Sequence, residues 1–485
     1  MRIVLIHLDL GIGGAERLMV TVALALLELG HDVRILTTHH DVDHCFEETR
    51  GLGLLADRVT VVGDWLPRSI FGRMTAFCSH IRMIWAALYM LLFASSSSAL
   101  LPELAIVDGV STPLPLFLWA GIPSIFYCHF PDLLLVSGKT KSSALGWIYR
   151  MLIDATEELT TGCATMIMVN SEFTKEAFRS SFPLLCGLVD PVVVYPTLEG
   201  EGNDSSGPPP DYLSRRGDDF CKTTRLFVSL NRYERKKRIE LALEALSLLR
   251  TDQKQNRVAL VIAGGYDTCV RENVEYLQEL KSKATMLGLK WCYPVDDEDV
   301  QSPTYDVIFR VSIGAKERDA LLKYSTALIY TPENEHFGIV PLEAMRAGTP
   351  VIAVNSGGPI ETVVSGETGF LCQQTPQAFC SAMTSLLGKG NSTIDYQDAS
   401  HTLFCRSETS VKMGMCGKQH VQAKFSLEAM KTILKARIAE ISVQGAVRQR
   451  HQKVCERACL RAILVGLFPL ALALLLANFL NTFEY

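Results

Sequence analysis

The feature that most constrains the fold of this 485-residue sequence is an alternation of continuous apolar runs with helical patterns, which occurs in two groups. Runs without a polar face suit strands that helices cover on both sides, and such strands form parallel sheets. The first group contains RIVLIHL, DVRILTT, RVTVVG, LAIVDG, PSIFYCH and TMIMVNS; the second contains RLFVSL, VALVIAGG, YDVIFRV, ALIYTP and TPVIAVN. The alternation predicts an α/β fold with two doubly wound, Rossmann-like domains.

A segment rich in Gly, Pro and Ser separates the two groups and predicts a linker over 199–221. The length of the chain also favours two domains over one. We therefore expect an N-terminal domain over 1–198 and a C-terminal domain over 222–430. Ligands of doubly wound sheets bind at the carboxyl ends of the strands, so the two domains are expected to face a shared cleft.

Composition argues against two classes of function. The formal net charge of -5 gives no general attraction for nucleic acid, so no nucleic-acid partner is expected. The 14 cysteines are scattered and include no Cys-x-x-Cys pair. This pattern indicates reduced thiols in a cytosolic setting rather than a disulfide framework or a zinc site.

Two apolar segments predict contact with a membrane. Residues 462–480 carry no charge and are long enough to cross a bilayer core, with a buried or amphipathic helix as the alternative. The preceding segment, 431–461, is predicted to be a basic helical segment, which by the positive-inside rule keeps the large N-terminal part cytosolic. Residues 83–101 predict a helix on the membrane surface within the first domain, with a buried core helix as the alternative.

Residues that follow the first strand of each domain are candidate ligands of an anion. Gly13 and Gly14 form a turn before a helix whose N-terminus favours negative charge, although a tight strand-to-helix turn also explains them. Arg232 and Lys237 follow the first strand of the second domain, where they can neutralise a diphosphate. The alternative for this pair is a solvated basic helix start.

Two further turns follow predicted strands. Gly264 and Gly265 either line a nucleotide site or only form a turn. His129 stands where it can contact a sugar or transfer a proton, although a lone histidine is usually structural. Asp132 is a candidate of the same turn and can equally cap the next helix.

Two glutamates, Glu335 and Glu343, bracket a predicted helix start. Glu335 lies in the loop after a strand, and Glu343 lies about one turn into a helix whose first turn contains Pro341. The backbone amides of 337–340 cluster at that helix N-terminus and favour an anion. Because the surroundings of the two carboxylates differ, we expect them to bind two ends of one ligand with an anionic middle, such as a nucleotide sugar. Two ordinary surface carboxylates are the alternative.

These motifs resemble those of a known family. The segment EHFGIVPLE resembles the Glu-x7-Glu motif of retaining GT-B glycosyltransferases. Longer segments resemble the α-1,3/1,6-mannosyltransferases of the dolichol-linked oligosaccharide pathway: DWLPR, FYCHFPDLLL, NRYERKK, TPENEHFGIVPLEAM and VIAVNSGGPIETV. The resemblance extends from Met1 to about Phe425, with a departure over 296–318 that bears on the guanine pocket. It implies a GT-B fold, to which the predicted C-terminal membrane helix is added.

The resemblance implies a retaining transfer of mannose from GDP-mannose to Man-GlcNAc-GlcNAc-PP-dolichol, forming an α-1,3 and then an α-1,6 linkage. It places the catalytic domains on the cytosolic face of the endoplasmic reticulum membrane, where other mannosyltransferases of the pathway are candidate partners. The departing diphosphate serves as base, so no protein nucleophile is required. Because an Arg/Lys pair offsets the charge of the leaving group, we expect no cofactor and no tightly bound catalytic metal.

The resemblance also implies roles for individual residues of the second domain. Glu343 is expected to bind the ribose hydroxyls, and Glu335 to face the mannose ring. The residues expected at the diphosphate are Arg232, Lys237, Phe337, Gly338 and Ile339.

In the first domain, His129 is expected to contact the donor sugar, and Gly13 and Gly14 to border the diphosphate and the acceptor. Two alternatives to this function are another retaining GT-B enzyme with a different lipid-linked acceptor and an inactive, membrane-anchored scaffold of the same fold. The intact glutamate pair, Arg232 and Lys237 argue against the scaffold.

Overall fold

The computed structural model describes residues 1–70, 72–93, 101–135, 144–198, 210, 213, 224–252, 257–293, 305–388, 393–394 and 406–448. The chain divides into two compact units. The first contains Met1–Thr197 together with the chain from Leu427 onward, and the second is Leu198–Ser426. Of the predicted linker 199–221, the structure describes residues 210 and 213.

The described residues of the first unit form a sheet of seven parallel strands. The strands are β1 Arg2–Asp9, β2 Asp32–His39, β3 Val59–Val61, β4 Leu104–Asp108, β5 Ser124–Cys128, β6 Met166–Val169 and β7 Val192–Val193. Their order in the sheet is β3-β2-β1-β4-β5-β6-β7. The chain therefore moves outward in one direction from β1 and in the other from β4, which makes the gap between these two strands the topological switch point.

Helices cover both faces of this sheet. They are α1 Gly14–Glu28, α2 Thr75–Phe93, α3 Leu114–Trp119, α4 Asp132–Leu135, α5 Ala144–Thr161 and α6 Glu172–Ser181. Alternate residues of β1 enter the two cores: Leu5 packs in the cluster that contains α1, and Ile6 in the cluster that contains α2. Burial on both faces accounts for the uninterrupted apolar runs of the sequence.

The second unit repeats this architecture. Within the part of it that the structure describes, the sheet strands are β8 Thr224–Leu230, β9 Arg257–Gly264, β10 Trp291–Cys292, β11 Val307–Val311, β12 Ala327–Tyr330, β13 Val351–Val354 and β14 Gly369–Cys372. They are parallel in the order β10-β11-β9-β8-β12-β13-β14, so the switch point lies between β8 and β12. An antiparallel pair, β15 Thr393–Ile394 and β16 Arg406–Ser407, is separate from the sheet.

The helices of the second unit are α7 Glu240–Asp252, α8 Arg271–Met286, α9 Ala315–Tyr324, α10 Ile339–Arg346, α11 Pro359–Thr362, α12 Pro376–Leu387 and α13 Glu408–Lys424. A short 3-10 turn, Arg235–Lys237, precedes α7. The prediction of two doubly wound, parallel α/β units is confirmed.

The last described helix, α14 Leu427–Arg448, belongs to the first unit. Its buried residues recur every three or four positions, at Met430, Leu434, Ile438 and Ile441, and join the core cluster that contains α1. The predicted domain boundary at residue 430 therefore falls inside this helix, and the second unit ends at Ser426. The basic segment predicted over 431–461 begins within the same helix, while its residues after 448 lie outside the described part of the chain.

Helix α2 contains the first part of the segment that was predicted to lie on the membrane. The stretch Thr75–Leu92 is long and apolar enough to cross a membrane by length and composition, but 44% of it is buried in the unit. Its one arginine, Arg82, is buried and pairs with Asp9 at 2.8 Å. Met83 packs in the core whereas Leu92 is exposed, so the helix combines features of a core helix and a surface helix. The predicted anchor over 462–480 lies outside the described residues.

The packing of α14 on α1 generates a prediction about stability. Leu434→Ala is expected to lower the free energy of unfolding of the first unit by about 2–4 kcal/mol, because it leaves a cavity in a closed core. Lys435→Ala, on the exposed side of the same helix, is the matched control and should change the free energy by less than about 0.5 kcal/mol. Urea denaturation of both variants measures the difference. Equal midpoints for the two variants would show that α14 does not contribute to the core.

Candidate active site

The loops that follow β8 and β12 meet at the switch point of the second sheet. Thr331 Oγ1, just after β12, donates a hydrogen bond to the carbonyl oxygen of Lys237 at 2.6 Å. The side chain of Lys237 then reaches the second loop, where Nζ lies 2.6 Å from Glu335 Oε2. The structure thus brings together two of the predicted catalytic residues, and each neutralises the charge of the other.

Tyr330 and Gly338 complete the surroundings of Glu335. Tyr330 is buried, and burial together with the charge of the Glu335 carboxylate raises the pKa of the tyrosine well above its usual range. Gly338 precedes α10 with φ of 80°, a left-handed conformation that favours glycine. A Cβ at this position would lie 3.3 Å from Tyr330 Oη. Gly338 therefore serves the turn from the loop into the helix.

Two further glycines, Gly357 and Gly358, pack directly against the backbone of the Glu335 loop. A Cβ on Gly357 would lie 2.5 Å from the carbonyl oxygen of Glu335, and one on Gly358 would lie 2.1 Å from that of Phe337. The amide of Gly358 donates to the carbonyl of Glu335 at 2.8 Å. These two glycines allow backbone to pack directly on backbone. Their motif, VIAVNSGGPIETV, was noted in the sequence, but no role was predicted for them.

Glu343 lies inside α10 and is largely buried, with 13% of its side chain exposed. Burial raises the pKa of its carboxyl group, and the positive charges of Arg318 and Arg346 oppose that effect. Arg318 Nη1, on α9, lies 3.2 Å from Glu343 Oε1. The two glutamates therefore contact different cations, in keeping with the different surroundings expected for them. Arg318 was missed because it falls in 296–318, where the resemblance is weakest.

Arg232 does not join the Lys237–Glu335 pair. Its side chain is 74% exposed, and its nearest carboxylate is Glu234 at 3.7 Å. A diphosphate contact for this residue stays a prediction, because the structure shows it close to the switch point only through its position after β8.

The structure gives Gly264 and Gly265 a packing role. A Cβ on Gly264 would lie 1.9 Å from the carbonyl oxygen of Asn231, and one on Gly265 would lie 3.2 Å from Arg232 Cγ. The glycines let the chain that leaves β8 pass closely over the end of β9. The turn interpretation accounts for them without a ligand, and their role in a nucleotide site stays a prediction.

Phe337 and Ile339 lie on either side of Gly338 and differ in exposure. The ring of Phe337 is buried, with its centroid 5.9 Å from that of Phe425, so any contact of Phe337 with a diphosphate must come from its backbone. Ile339 is the first residue of α10 and is partly exposed.

In the first unit, His129 follows β5 and lies beside a buried carboxylate. Its Nε2 is 2.8 Å from Asp108 Oδ1, and Asp108 is the last residue of β4. The other carboxylate oxygen, Oδ2, is 2.6 Å from His7 Nδ1 on β1. The sequence predicted His129 as a candidate but missed Asp108 and His7. Their available signal was a polar residue near the carboxyl end of an otherwise apolar strand.

The glycine turn after β1 connects to the same cluster. Gly13 precedes α1, and a Cβ on it would lie 2.2 Å from Glu16 Oε2, so the glycine makes room for that carboxylate. Glu16 Oε1 in turn lies 3.9 Å from His7 Nε2. Gly14 has open space around its Cβ position. A role of Gly13 and Gly14 at a diphosphate stays a prediction.

Electrostatics in this cluster favour an ion pair. Burial alone would lower the pKa of His7, but the hydrogen bond with Asp108 and the negative charges of Asp108 and Glu16 outweigh it and raise the pKa to about 10. Burial opposes ionisation of Asp108, yet the neighbouring histidines lower its pKa to about 2. His7 is therefore an imidazolium and Asp108 a carboxylate at neutral pH.

Asp132, at the start of α4, does more than cap that helix, since its carboxylate accepts a hydrogen bond from Arg150 at 2.8 Å.

Within the described ranges, no group of three or more His, Cys, Asp or Glu side chains is placed to hold a metal ion. The expectation that transfer requires no tightly bound metal and no cofactor stays a prediction.

Comparisons with known proteins identify both units. Residues 12–196 match the family model described as Glycosyltransferase Family 4, and residues 303–400 match the model described as Glycosyl transferases group 1. Among solved structures, the chain is similar to sucrose-phosphate synthase from Thermosynechococcus elongatus, with a TM-score of 0.61 and 18% identity over 91% of this chain and 99% of that one. It is also similar to Anabaena HepE in complex with UDP and glucose, with a TM-score of 0.55 and 16% identity over 91% and 100%. These similarities show the GT-B fold.

Relatives of known activity match along almost the whole chain. The alpha-1,3/1,6-mannosyltransferase ALG2 of Homo sapiens is 42% identical over 437 residues, which cover 88% of this chain and 93% of the relative. The protein of the same name from Dictyostelium discoideum is 39% identical over 443 residues, covering 88% and 95%. That of Saccharomyces cerevisiae is 40% identical over 408 residues, covering 79% and 76%. The chain belongs to the alpha-1,3/1,6-mannosyltransferase family of GT-B glycosyltransferases.

Proposed function

We propose that this mannosyltransferase uses GDP-mannose as donor and the lipid-linked trisaccharide Man-GlcNAc-GlcNAc-PP-dolichol as acceptor, and that it forms an α-1,3 and then an α-1,6 linkage. The observation that carries the proposal is the Lys237–Glu335 pair, held 2.6 Å apart at the switch point of the second sheet in a chain of this family. An ammonium and a carboxylate side by side match the diphosphate and the sugar hydroxyls at the reacting end of a nucleotide sugar.

Lys237 supplies the positive charge that the reaction needs. As the glycosidic bond to the diphosphate breaks, negative charge develops on the leaving oxygen, and a cation fixed nearby stabilises the transition state more than the ground state. The N-terminus of α10, at Gly338 and Ile339, adds backbone amides that favour the same anion. A diphosphate carries more charge than one carboxylate, so it competes with Glu335 for the ammonium. Glu335 is then available to accept hydrogen bonds from the mannose hydroxyls.

Glu343 suits a pair of ribose hydroxyls. Hydroxyl groups donate to an ionised carboxylate, and Arg318 at 3.2 Å favours that ionised form against the effect of burial. The separate placement of Glu335 and Glu343 assigns the sugar and the ribose to different carboxylates. Arg232, His129, Gly13 and the remaining predicted residues keep their proposed roles at the diphosphate, donor sugar and acceptor.

The proposed setting is the endoplasmic reticulum membrane, with the catalytic units on its cytosolic face and other mannosyltransferases of the pathway as candidate partners. The uncharged segment 462–480 and the apolar helix α2 support attachment to a membrane. A lipid-linked acceptor requires the enzyme to work at such a surface.

Transfer to a defined acceptor tests the proposal. The purified full chain in liposomes is expected to convert Man-GlcNAc-GlcNAc-PP-lipid, with GDP-mannose, to a product two mannoses larger. Digestion with linkage-specific mannosidases should identify one α-1,3 and one α-1,6 bond. Absence of product from this chain, under conditions in which the Saccharomyces cerevisiae relative is active, would exclude the proposed donor and acceptor.

Two substitutions separate donor binding from turnover. Glu343→Ala is expected to raise the KM for GDP-mannose about 10- to 100-fold with little change in kcat, because it removes a contact present before and during reaction. Lys237→Ala is expected to lower kcat by about 100- to 1,000-fold, because it removes charge stabilisation from the transition state. The matched control is Lys236→Ala, a neighbouring lysine whose side chain is 72% exposed, and it should leave both parameters unchanged. Equal changes in KM and kcat for both active-site variants would contradict this division of roles.

The raised pKa of Glu343 predicts a pH dependence of donor binding. Because burial favours the protonated form, the carboxyl group takes up its proton at a less acidic pH than an exposed glutamate, and the protonated form accepts fewer hydrogen bonds. The KM for GDP-mannose is therefore expected to rise as the pH falls below neutrality, whereas the KM of Glu343→Gln should stay constant over the same interval. Parallel pH profiles of the two proteins would assign the dependence to another group.

A further inference from the structure

Asp108 is a buried carboxylate for which mannosyl transfer, as derived above, has no use. It ends β4 at the switch point of the first sheet, and it is 1% exposed. Both of its oxygens lie close to an imidazole: Oδ2 is hydrogen-bonded with His7 Nδ1 at 2.6 Å, and Oδ1 lies 2.8 Å from His129 Nε2 without the alignment of a hydrogen bond. A buried charge is costly, so its retention between two imidazoles calls for a physical explanation.

We propose that Asp108 is a positioning residue for mannosyl transfer: its carboxylate, 2.8 Å from Nε2, holds the imidazole of His129 by electrostatic attraction and leaves Nδ1 as the ring nitrogen that contacts a substrate hydroxyl. This inference rests on the proposed function. Asp108 touches no reacting atom, and its effect on the reaction passes through His129.

The backbone of His129 is already fixed by other contacts. Its carbonyl oxygen accepts a hydrogen bond from Asn170 Nδ2 at 3.0 Å. The loop continues into α4, where the amide of Asp132 donates to Glu157 Oε1 at 3.2 Å. With the main chain held on both sides, the remaining freedom of His129 is rotation of its side chain. The contact with Asp108 restricts that rotation.

His7 explains why Asp108 can only accept a hydrogen bond. The hydrogen bond with Asp108 and the negative charges of Asp108 and Glu16 raise the pKa of His7 to about 10, so an imidazolium faces the carboxylate and keeps it ionised. An ionised carboxylate has no hydrogen to donate. The ring nitrogen of His129 that faces it is therefore expected to carry a hydrogen.

Kinetics of a double-mutant cycle test the proposal. Asp108→Asn is expected to lower kcat about 10- to 100-fold while the KM for GDP-mannose changes less than about 3-fold, since orientation rather than binding is lost. His129→Ala should lower kcat at least as much. The variant with both substitutions should be no slower than His129→Ala alone, because the two residues act as one unit. An unchanged kcat for Asp108→Asn, or losses that multiply in the double variant, would overturn the proposal.

Two further variants separate positioning from stability. Asp306→Asn removes another buried carboxylate, which lies in the second unit just before β11. Asp306 is 6% exposed and accepts a hydrogen bond from Arg250. It should keep the wild-type kcat, and a loss equal to that of Asp108→Asn would assign both effects to destabilisation. If Asp108→Asn does not fold, the combined variant His7→Gln and Asp108→Asn replaces the ion pair by two neutral groups. It should fold and still show the low kcat; a wild-type kcat would refute the role of Asp108.

Nitrogen NMR of the full chain labelled at histidine gives a readout that does not depend on activity. The signals of His129, identified by their loss in His129→Gln, are expected to show a proton on Nε2 in the wild-type protein and a changed tautomer ratio in Asp108→Asn. A proton on Nδ1 in the wild type would overturn the proposal even in an active enzyme. Failure of the wild type to transfer mannose would instead contradict the proposed function, and the NMR result would still decide the placement of the ring.

Discussion

The ion pair between Lys237 and Glu335 depends on the switch point of the second sheet, where the chain leaves the neighbouring strands β8 and β12 in diverging directions. Because the chain leaves β8 toward one side and β12 toward the other, the connections diverge and leave a crevice at the carboxyl ends of these strands. Two side chains can meet there only if both loops are held, and the hydrogen bond from Thr331 to the carbonyl of Lys237 joins them directly. The placement of charge at this site is therefore a consequence of strand order.

Backbone packing gives the Glu335 loop its rigidity. Gly357 and Gly358 bring one main chain against another, at distances that no side chain would allow. The loop is thus positioned by backbone atoms, which have no side-chain rotamers. The carboxylate of Glu335 therefore starts from a well-defined backbone position. An electrostatic site benefits from such preorganisation, because fixed charges do not have to be rearranged as the reaction proceeds. In the first unit, preorganisation has a different basis: the carboxylate of Asp108 lies between His7 and His129 at the carboxyl end of β4.

The sequence was sufficient for the fold class and for part of the site. Continuous apolar runs predicted parallel strands covered on both sides, and the described residues of each unit form seven of them. Glu335 and Lys237 could be predicted because both follow apolar runs and carry charges suited to a nucleotide sugar. Arg318 and Asp108 could not be paired with their partners, because their contacts depend on which strands and helices are neighbours. Strand order is set by packing of the whole sheet, and a single sequence does not display it.

Local sequence was also ambiguous where one residue type serves two purposes. Gly264 is compatible with a ligand or with the close approach of a carbonyl, and packing explains it because a Cβ there would lie 1.9 Å from the carbonyl oxygen of Asn231. The buried stripe of α14 is visible at Met430, Leu434 and Ile438, but nothing in that stripe specifies which unit it covers. In both cases the local sequence does not show which part of the protein packs against these residues.

The return of α14 to the first unit has a consequence for biosynthesis. The first unit is discontinuous in the chain, since the complete second unit is translated between Thr197 and Leu427. During synthesis the face of α1 that packs with Met430 and Leu434 stays uncovered until the ribosome has finished the second unit. A nascent chain with an uncovered apolar face is prone to aggregate or to recruit chaperones. The second unit is therefore able to reach its native state first, and the N-terminal unit, although translated earlier, is the last to close.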